Sequence, residues 1–227
     1  MEYTVSGTVM QALDVILGKG ESVYTEAGGM AWMGGPVEMT TNTKGGLMKG
    51  LGRALAGESL FMTTYTCRGN RCLVVFTPEA PGKIIPLELA AGQSVIAQRD
   101  AFMCAQEGVK LEMHFHKRLG AGLFGGEGFF LEKITGPGLA FLEIGGEVRE
   151  YTLQAGQTLK IDPGHIAAFE PTVNYSIERV KGLKNIFFSG EGLFLATLTG
   201  PGKVWLQTMP VVNLAMKIAH YIPAKGG

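Results

Sequence analysis

Two histidines separated by one residue are the first candidates for chemistry in this sequence. His114 and His116 are two positions apart, so on a β-strand both side chains point to the same face, as two metal ligands would. The missing ligands would have to come from residues such as His165 or Glu112, and two basic residues follow His116 directly. Because the ligand set is incomplete and the neighbouring charge opposes a cation, we expect a solvent-facing pair rather than a metal site.

Three glycine–glutamate pairs recur, each with a threonine nine positions after its glycine. The pairs are Gly57-Glu58, Gly126-Glu127 and Gly190-Glu191. Three equivalent carboxylates around an internal threefold axis would form a polar ring with a binding role. Short-range hydrogen bonds from acids to backbone N–H groups are common in glycine turns, so we expect a turn-stabilising acid in each copy.

Cysteine chemistry is limited by the number of thiols, which is three. Cys67 and Cys72 flank a four-residue turn, where a disulfide or half of a zinc site is conceivable. Only Cys104 remains to complete any site. The odd count and the lack of a second pair predict buried structural thiols rather than a secreted disulfide framework or a metal centre.

Signatures of nucleotide binding and hydrolysis are weak or missing. Residues 120–125 fit G-x-G-x-x-G, but a strand-like run over residues 129–134 follows them, whereas a dinucleotide site needs a helix there. The sequence contains no P-loop, G-x-S-x-G or H-E-x-x-H motif. We therefore expect no catalytic residues and no cofactor.

The elements that carry these residues are predicted to be β-strands in three tandem copies. A second recurring signal consists of a glycine, an acid or amide, a hydroxyl residue and an apolar residue. Its copies are Gly20-Glu21-Ser22-Val23, Gly92-Gln93-Ser94-Val95 and Gly156-Gln157-Thr158-Leu159. Turn sequences at residues 68–71, 136–138 and 200–202 stand between β-prone runs, which we interpret as hairpins.

These patterns predict an all-β protein of three repeats with pseudo-threefold symmetry. The repeats cover about residues 1–80, 81–145 and 146–210, and they form one compact sandwich or partly closed barrel. Apolar residues at helical spacing after Pro210 predict a C-terminal helix over residues 211–222. Residues 45–56 also have helical spacing, weakened by glycine, and are predicted to be a short helix or a loop.

Composition excludes several classes of function. The chain has 227 residues, of which 46% are hydrophobic and 18% charged, so a packed globule is expected. The 20 basic and 20 acidic residues leave no net charge to attract a nucleic acid. The first residues lack a signal or transit pattern and no apolar run is long enough to span a membrane, which predicts a cytoplasmic location.

Two stretches resemble a known family over nearly the whole chain. The runs LGAGLFGGEG at residues 119–128 and GEGLFLATLTGPGKVWLQ at residues 190–207 resemble the family related to the fungal "altered inheritance of mitochondria" biogenesis protein. The resemblance implies a fold similar to the tryptophan RNA-binding attenuation protein, a short relative of the double-stranded β-helix, repeated within one chain. It implies no reaction, and the RNA-binding activity does not transfer, because one fold hosts many functions.

Three functional hypotheses follow. The first, which we favour, is a non-catalytic scaffold or binding protein that self-associates through strand edges into a homo-oligomer, with a trimer expected. The second is docking to a membrane surface or a partner through residues 45–56. The third is a small-ligand or metal-binding enzyme with a site near His114 and His116.

Overall fold

The computed structural model describes residues 1–26, 28–43, 61–117, 129–179, 194–219 and 221. These residues form nineteen β-strands and one α-helix, which confirms the predicted all-β class. The elements are β1 (Glu2–Ser6), β2 (Ala12–Gly18), β3 (Ser22–Glu26), β4 (Met30–Gly34), β5 (Val37–Thr43), β6 (Phe61–Cys67), β7 (Arg71–Phe76), β8 (Gly82–Leu89), β9 (Ser94–Gln98), β10 (Phe102–Gln106), β11 (Lys110–Lys117), β12 (Phe129–Thr135), β13 (Gly138–Gly145), β14 (Val148–Leu153), β15 (Thr158–Ile161), β16 (Ile166–Phe169), β17 (Asn174–Arg179), β18 (Phe194–Thr199), β19 (Gly202–Gln207) and α1 (Val211–Ala219).

Strand β2 illustrates how the sequence selects strands. Leu13, Val15 and Leu17 are completely buried, and the residues between them, Asp14 and Ile16, are half-buried. This alternation has the period of two that places every second side chain on the core face of a sheet. Burial of the three apolar side chains therefore fixes the register of β2 against its neighbours.

The first of two compact units contains two sheets that share one core. It spans Met1–Gln93, Asp100–Leu111 and Ile134–Glu143. Its four-stranded sheet has the order β1-β2-β7-β4, and its six-stranded sheet has the order β5-β6-β3-β10-β13-β8. Side chains from both sheets meet in the core, where the rings of Tyr65 and Phe76 pack edge to face with their centroids 6.2 Å apart.

The second compact unit also contains two sheets. Its six-stranded sheet has the order β11-β12-β9-β16-β19-β14, and its three-stranded sheet has the order β15-β18-β17. Tyr175 lies at the centre of an aromatic cluster, stacked 5.9 Å from both Phe129 and Phe169 and edge-on to Phe115 at 5.4 Å. Burial among these rings raises the pKa of the Tyr175 hydroxyl above its ordinary value.

The turns after β6, β12 and β18 are not hairpin turns, so our interpretation of residues 68–71, 136–138 and 200–202 was wrong. Each turn connects strands of different sheets: β6 to β7, β12 to β13 and β18 to β19. The chain crosses from one sheet to the other because both flanking strands have a core face to bury. Among the described strands, those that pair with their successors are β1 with β2, β5 with β6, β11 with β12 and β17 with β18.

The recurring glycine signal forms three turns of the same geometry. Gly20, Gly92 and Gly156 have φ values of +81°, +80° and +78°, in the left-handed region that favours glycine. In each turn the side chain after the glycine accepts a hydrogen bond from a backbone N–H three residues before it. These bonds run from Gly18 N to Glu21 Oε2, from Ala90 N to Gln93 Oε1 and from Gln154 N to Gln157 Oε1, over 2.7, 3.0 and 3.0 Å.

The predicted C-terminal helix is confirmed at Val211–Ala219. Val212 packs against the core of the second unit, while Val211 and Ile218 are exposed. Within the described ranges, no helix is long and apolar enough to cross a membrane.

Candidate functional site

His114 lies exposed on β11, and no metal-binding cluster surrounds it in the described residues. Partial burial and the nearby Lys133 ammonium lower the pKa of His114. His165, the distant ligand candidate, instead has its Nδ1 2.8 Å from the backbone oxygen of Gln207. Across residues 1–26, 28–43, 61–117, 129–179 and 194–219, no three His, Cys, Asp or Glu side chains are grouped so that they could hold a metal ion. The side chain of His116 lies outside the described part of the chain.

The repeated glycine–glutamate pairs lie outside the described residues. They are Gly57-Glu58, Gly126-Glu127 and Gly190-Glu191. The same holds for residues 45–56 and for the G-x-G-x-x-G run at residues 120–125. Their proposed turn, docking and binding roles therefore stay predictions.

The expectation of three free thiols was wrong for two of them. Cys67 ends β6 and Cys72 begins β7, and a disulfide joins them with their Cα atoms 5.6 Å apart. The turn between the two strands brings the cysteines together, which a count of thiols does not reveal. Cys104 is a free, fully buried thiol whose pKa is raised by burial and by the Glu143 carboxylate, so it is a poor nucleophile.

Removing the disulfide should have a moderate effect on stability. The bridge closes a short loop with a sequence separation of 5. Such a loop stabilises the fold by about 2 kcal/mol in the chain-entropy model. We expect a Cys67→Ser/Cys72→Ser variant to lose about that much free energy of unfolding in urea. Reductant should lower the urea midpoint of the unmodified protein and leave that of the variant unchanged. Equal midpoints for both proteins in oxidising buffer would contradict the bridge.

A half-buried acidic group that the sequence analysis missed lies on β13. Burial raises the pKa of Glu143 to about 7, assisted by the charges of Glu79 and Asp100. The backbone N–H of Glu79 donates to Glu143 Oε2 at 3.1 Å and opposes this shift. No sequence pattern marks Glu143, because its burial depends on which strands cover β13.

In the second unit, the side chain of Gln207 on β19 lies in a network of hydrogen bonds with neighbouring polar groups. Gln207 Nε2 donates to Gly164 O at 2.8 Å and to Gln98 Oε1 at 3.3 Å. Gln207 Oε1 accepts from Gly145 N at 3.1 Å. These bonds fasten β19 to its neighbours, and we assign them a structural role.

A surface cavity of 230 Å³ opens beside β1 and β2. Its wall includes the Met1 amino group, which donates to Glu21 Oε1 at 2.5 Å, and Arg71, which lies 3.7 Å from the Glu2 carboxylate. The hydrogen bond from Met1 lowers the pKa of Glu21. Because these four charges neutralise one another, the cavity wall favours no ligand charge.

Strand β4 is an edge strand with exposed apolar side chains. It has the sequence MAWMG, and among the described strands it pairs only with β7, so no described strand covers its other edge. Trp32 and Met33 are 53% and 40% exposed. Strands β10 and β16 are its counterparts, because each follows the strand that comes after one of the recurring glycine turns, as β4 does. Every apolar residue in β10 and β16 is buried. Unlike β4, each of these strands has a second described neighbour, β3 for β10 and β9 for β16.

The composition of β4 also separates it from the other strands at sheet edges. Edge strands usually carry charged residues or proline, which prevent pairing with another chain. Strands β1, β5, β11, β14, β15 and β17 each contain a charged residue, and β8 contains charges and a proline. Strand β4 contains neither. An open, apolar and uncharged edge is typical of a strand that pairs with a partner.

Strand β15 lacks a neighbouring strand that its counterparts β3 and β9 have in the described chain. It follows the Gly156 turn as β3 follows the Gly20 turn and β9 follows the Gly92 turn. In the described residues β3 and β9 each have two neighbouring strands, but β15 has only β18. Thr158 and Lys160 are exposed along this strand, and Ile161 is buried.

Comparisons with known proteins agree with this architecture. The chain is 29% identical to an uncharacterized protein of Streptococcus pyogenes serotype M6, over 98% of this chain and 92% of the other. A crystal structure of a protein from Streptococcus pyogenes has the same fold, with a TM-score of 0.80 and 24% identity over 97% of this chain and 99% of that one. The family model described as mitochondrial biogenesis AIM24 matches residues 3–209. The resemblance found in the sequence is therefore confirmed, and this chain belongs to the mitochondrial biogenesis AIM24 family.

Proposed function

We propose that this protein is a non-catalytic scaffold that self-associates through the open edges of β4 and β15. The observation that carries the proposal is the exposure of Trp32 and Met33 on an uncharged edge strand whose counterparts, β10 and β16, are buried. An aggregation-prone edge of this kind costs solubility unless a partner covers it. A second copy of the chain supplies such a partner.

The same proposal includes three tandem copies of a six-strand unit, similar to the fold of the tryptophan RNA-binding attenuation protein. The strand neighbours support it. In each set of six, the first strand pairs with the sixth, the sixth with the third, the second with the fifth and the fifth with the fourth. The sets begin at β2, β8 and β14. Two links between successive sets, β3 with β10 and β9 with β16, leave β4 and β15 as the two ends of the series.

Because the two open ends, β4 and β15, differ in structure, we expect successive copies to join end to end in a closed ring. A contact between β4 of one copy and β15 of the next is heterologous, and such contacts produce rings when the rotation closes and filaments when it does not. A ring leaves no open β4 edge, and we expect it to contain three subunits.

The proposal is tested by native mass spectrometry on the full chain, purified without an affinity metal. We expect one defined oligomer with no retained metal. A monomer over the whole micromolar concentration range, or a monomer carrying a stoichiometric metal or small ligand, would overturn the scaffold function and favour a binding site in its place.

A further inference from the structure

Building on the proposed self-association, we infer that β4 of one copy pairs antiparallel with β15 of a second copy in one defined register. Met33 lies opposite Lys160, with Trp32 opposite Ile161 and Gly34 opposite Leu159. The register follows from two junctions of the same type within the described chain, between β10 and β3 and between β16 and β9.

Strand β4 aligns with β10 and β16 through an irregularity that all three share. Each strand skips one residue in its pairing with the strand beside it, between Met30 and Trp32, between Phe102 and Cys104, and between Ile166 and Ala168. Because the β-bulge lies at the same point in all three strands, residues at equal distances from it are equivalent, whatever their side chains. Met33, Ala105 and Phe169 each follow the bulge by the same interval and are therefore equivalent.

Strand β15 aligns with β3 and β9 through the glycine turn that precedes each of them. Tyr24, Ile96 and Lys160 each stand four positions after the positive-φ glycine of their turn. Tyr24 pairs with Ala105 at one junction, and Ile96 pairs with Phe169 at the other. Transferring this pairing to the open edges places Lys160 opposite Met33.

The side chains at the inferred junction suit each other. Successive residues on a strand point to opposite faces, so Trp32 and Met33 would be covered on different faces of the extended sheet. Trp32 would lie beside Ile161, at the margin of the second unit's hydrophobic core. The methylene chain of Lys160 would cover the Met33 side chain and keep its ammonium group in water.

Disulfide trapping tests this register directly. Met33→Cys and Lys160→Cys are made in separate full-length chains that also carry Cys104→Ala, so that each chain has one reactive thiol besides the Cys67–Cys72 bridge. The two proteins are mixed, allowed to exchange subunits and oxidised mildly. Residues directly opposite in antiparallel strands have Cβ atoms about 5 Å apart, which is within the range that a disulfide bridges after small adjustments.

The matched control replaces Lys160→Cys by Thr158→Cys, which is also exposed and lies on the same face of β15. Its Cβ atom would be displaced along the strand to a distance that a disulfide does not span without backbone movement. We expect the Met33/Lys160 mixture to form the covalent two-chain product at least about tenfold faster than the Met33/Thr158 mixture.

Four results would overturn the inference, and they separate it from the proposed function. Equal trapping of the two pairs, or no trapping in an oligomer that native mass spectrometry detects, excludes the register while the scaffold function stands. A monomeric protein excludes both. When Met33→Cys and Lys160→Cys are placed in one chain, a bridge that forms within single chains shows that the occupant of β4 is not a second copy.

Discussion

A Trp32→Lys/Met33→Lys variant should exist as single chains at concentrations where the unmodified protein is an oligomer. Covering two apolar side chains stabilises an interface by about 1.5–3 kcal/mol each, and the variant loses most of this contribution. Lysine at position 33 would also face Lys160, and like charges opposite one another destabilise strand pairing. Together these effects should raise the dissociation constant of the oligomer at least about a hundredfold. Sedimentation equilibrium over a concentration series measures it.

Two further variants show whether this effect comes from the β4 edge. Met39→Lys removes an equally apolar residue, 48% exposed on β5, and should leave the oligomer unchanged. Adding Lys160→Glu to a Met33→Lys chain should restore part of the lost affinity, because the two charges then attract. Equal weakening by Met39→Lys would show that general surface polarity, rather than β4, controls association.

The second large effect should appear in the pH dependence of stability. The pKa of Glu143 is raised to about 7 in the folded protein, from an ordinary value of 4.5 for a glutamate side chain. Well below pH 4.5 the carboxyl is protonated in both the folded and the unfolded chain, so Glu143 does not lower the free energy of unfolding. As the pH rises towards 7, the unfolded chain ionises first and the native state loses up to about 3 kcal/mol from this group. Above the folded pKa the loss is complete.

A Glu143→Gln variant should remove this loss. Glutamine keeps an oxygen to accept the Glu79 N–H, so we expect the variant to be more stable than the unmodified protein by up to about 3 kcal/mol at pH 8 and nearly equal to it at pH 4. Urea denaturation at a series of pH values measures the difference. Glu88→Gln, at an exposed position on β8, is the control, and as a surface substitution it should change the free energy of unfolding by less than about 0.5 kcal/mol. A constant difference at all pH values would show that Glu143 is not held protonated.

The sequence predicted the features that depend on local chemistry. Glycine at positions 20, 92 and 156 adopts the positive φ that a tight turn needs, and the helix after Pro210 follows its apolar spacing. In the described chain Glu21 and its glutamine counterparts Gln93 and Gln157 accept hydrogen bonds within the glycine turns, a role that the sequence analysis did not assign to them. Residues that act through local turn chemistry therefore leave a recurring signal in the sequence.

Features that depend on neighbouring strands could not be predicted. A Gly-Pro-Gly turn serves a hairpin and a sheet-to-sheet connection equally well, so the turn residues did not show that β12 and β13 belong to different sheets. The Cys67–Cys72 bridge depends on that same crossing geometry. The exposure of Trp32 was equally hidden, because an apolar strand with one neighbour and an apolar strand with two have the same composition.

The pairing of β5 with β6 brings the two ends of a long stretch of chain together. Thr43 and Phe61 are partners in the register, and seven such pairs join the two strands from there to Val37 and Cys67. Partners of this kind have Cα atoms about 5 Å apart, so the described residues on either side of residues 44–60 are neighbours in space. Arg179 and Phe194 are partners in the same way on either side of residues 180–193. For the entropy of the chain, each of these two stretches is closed by a strand ladder, because the ladder already holds its two ends together.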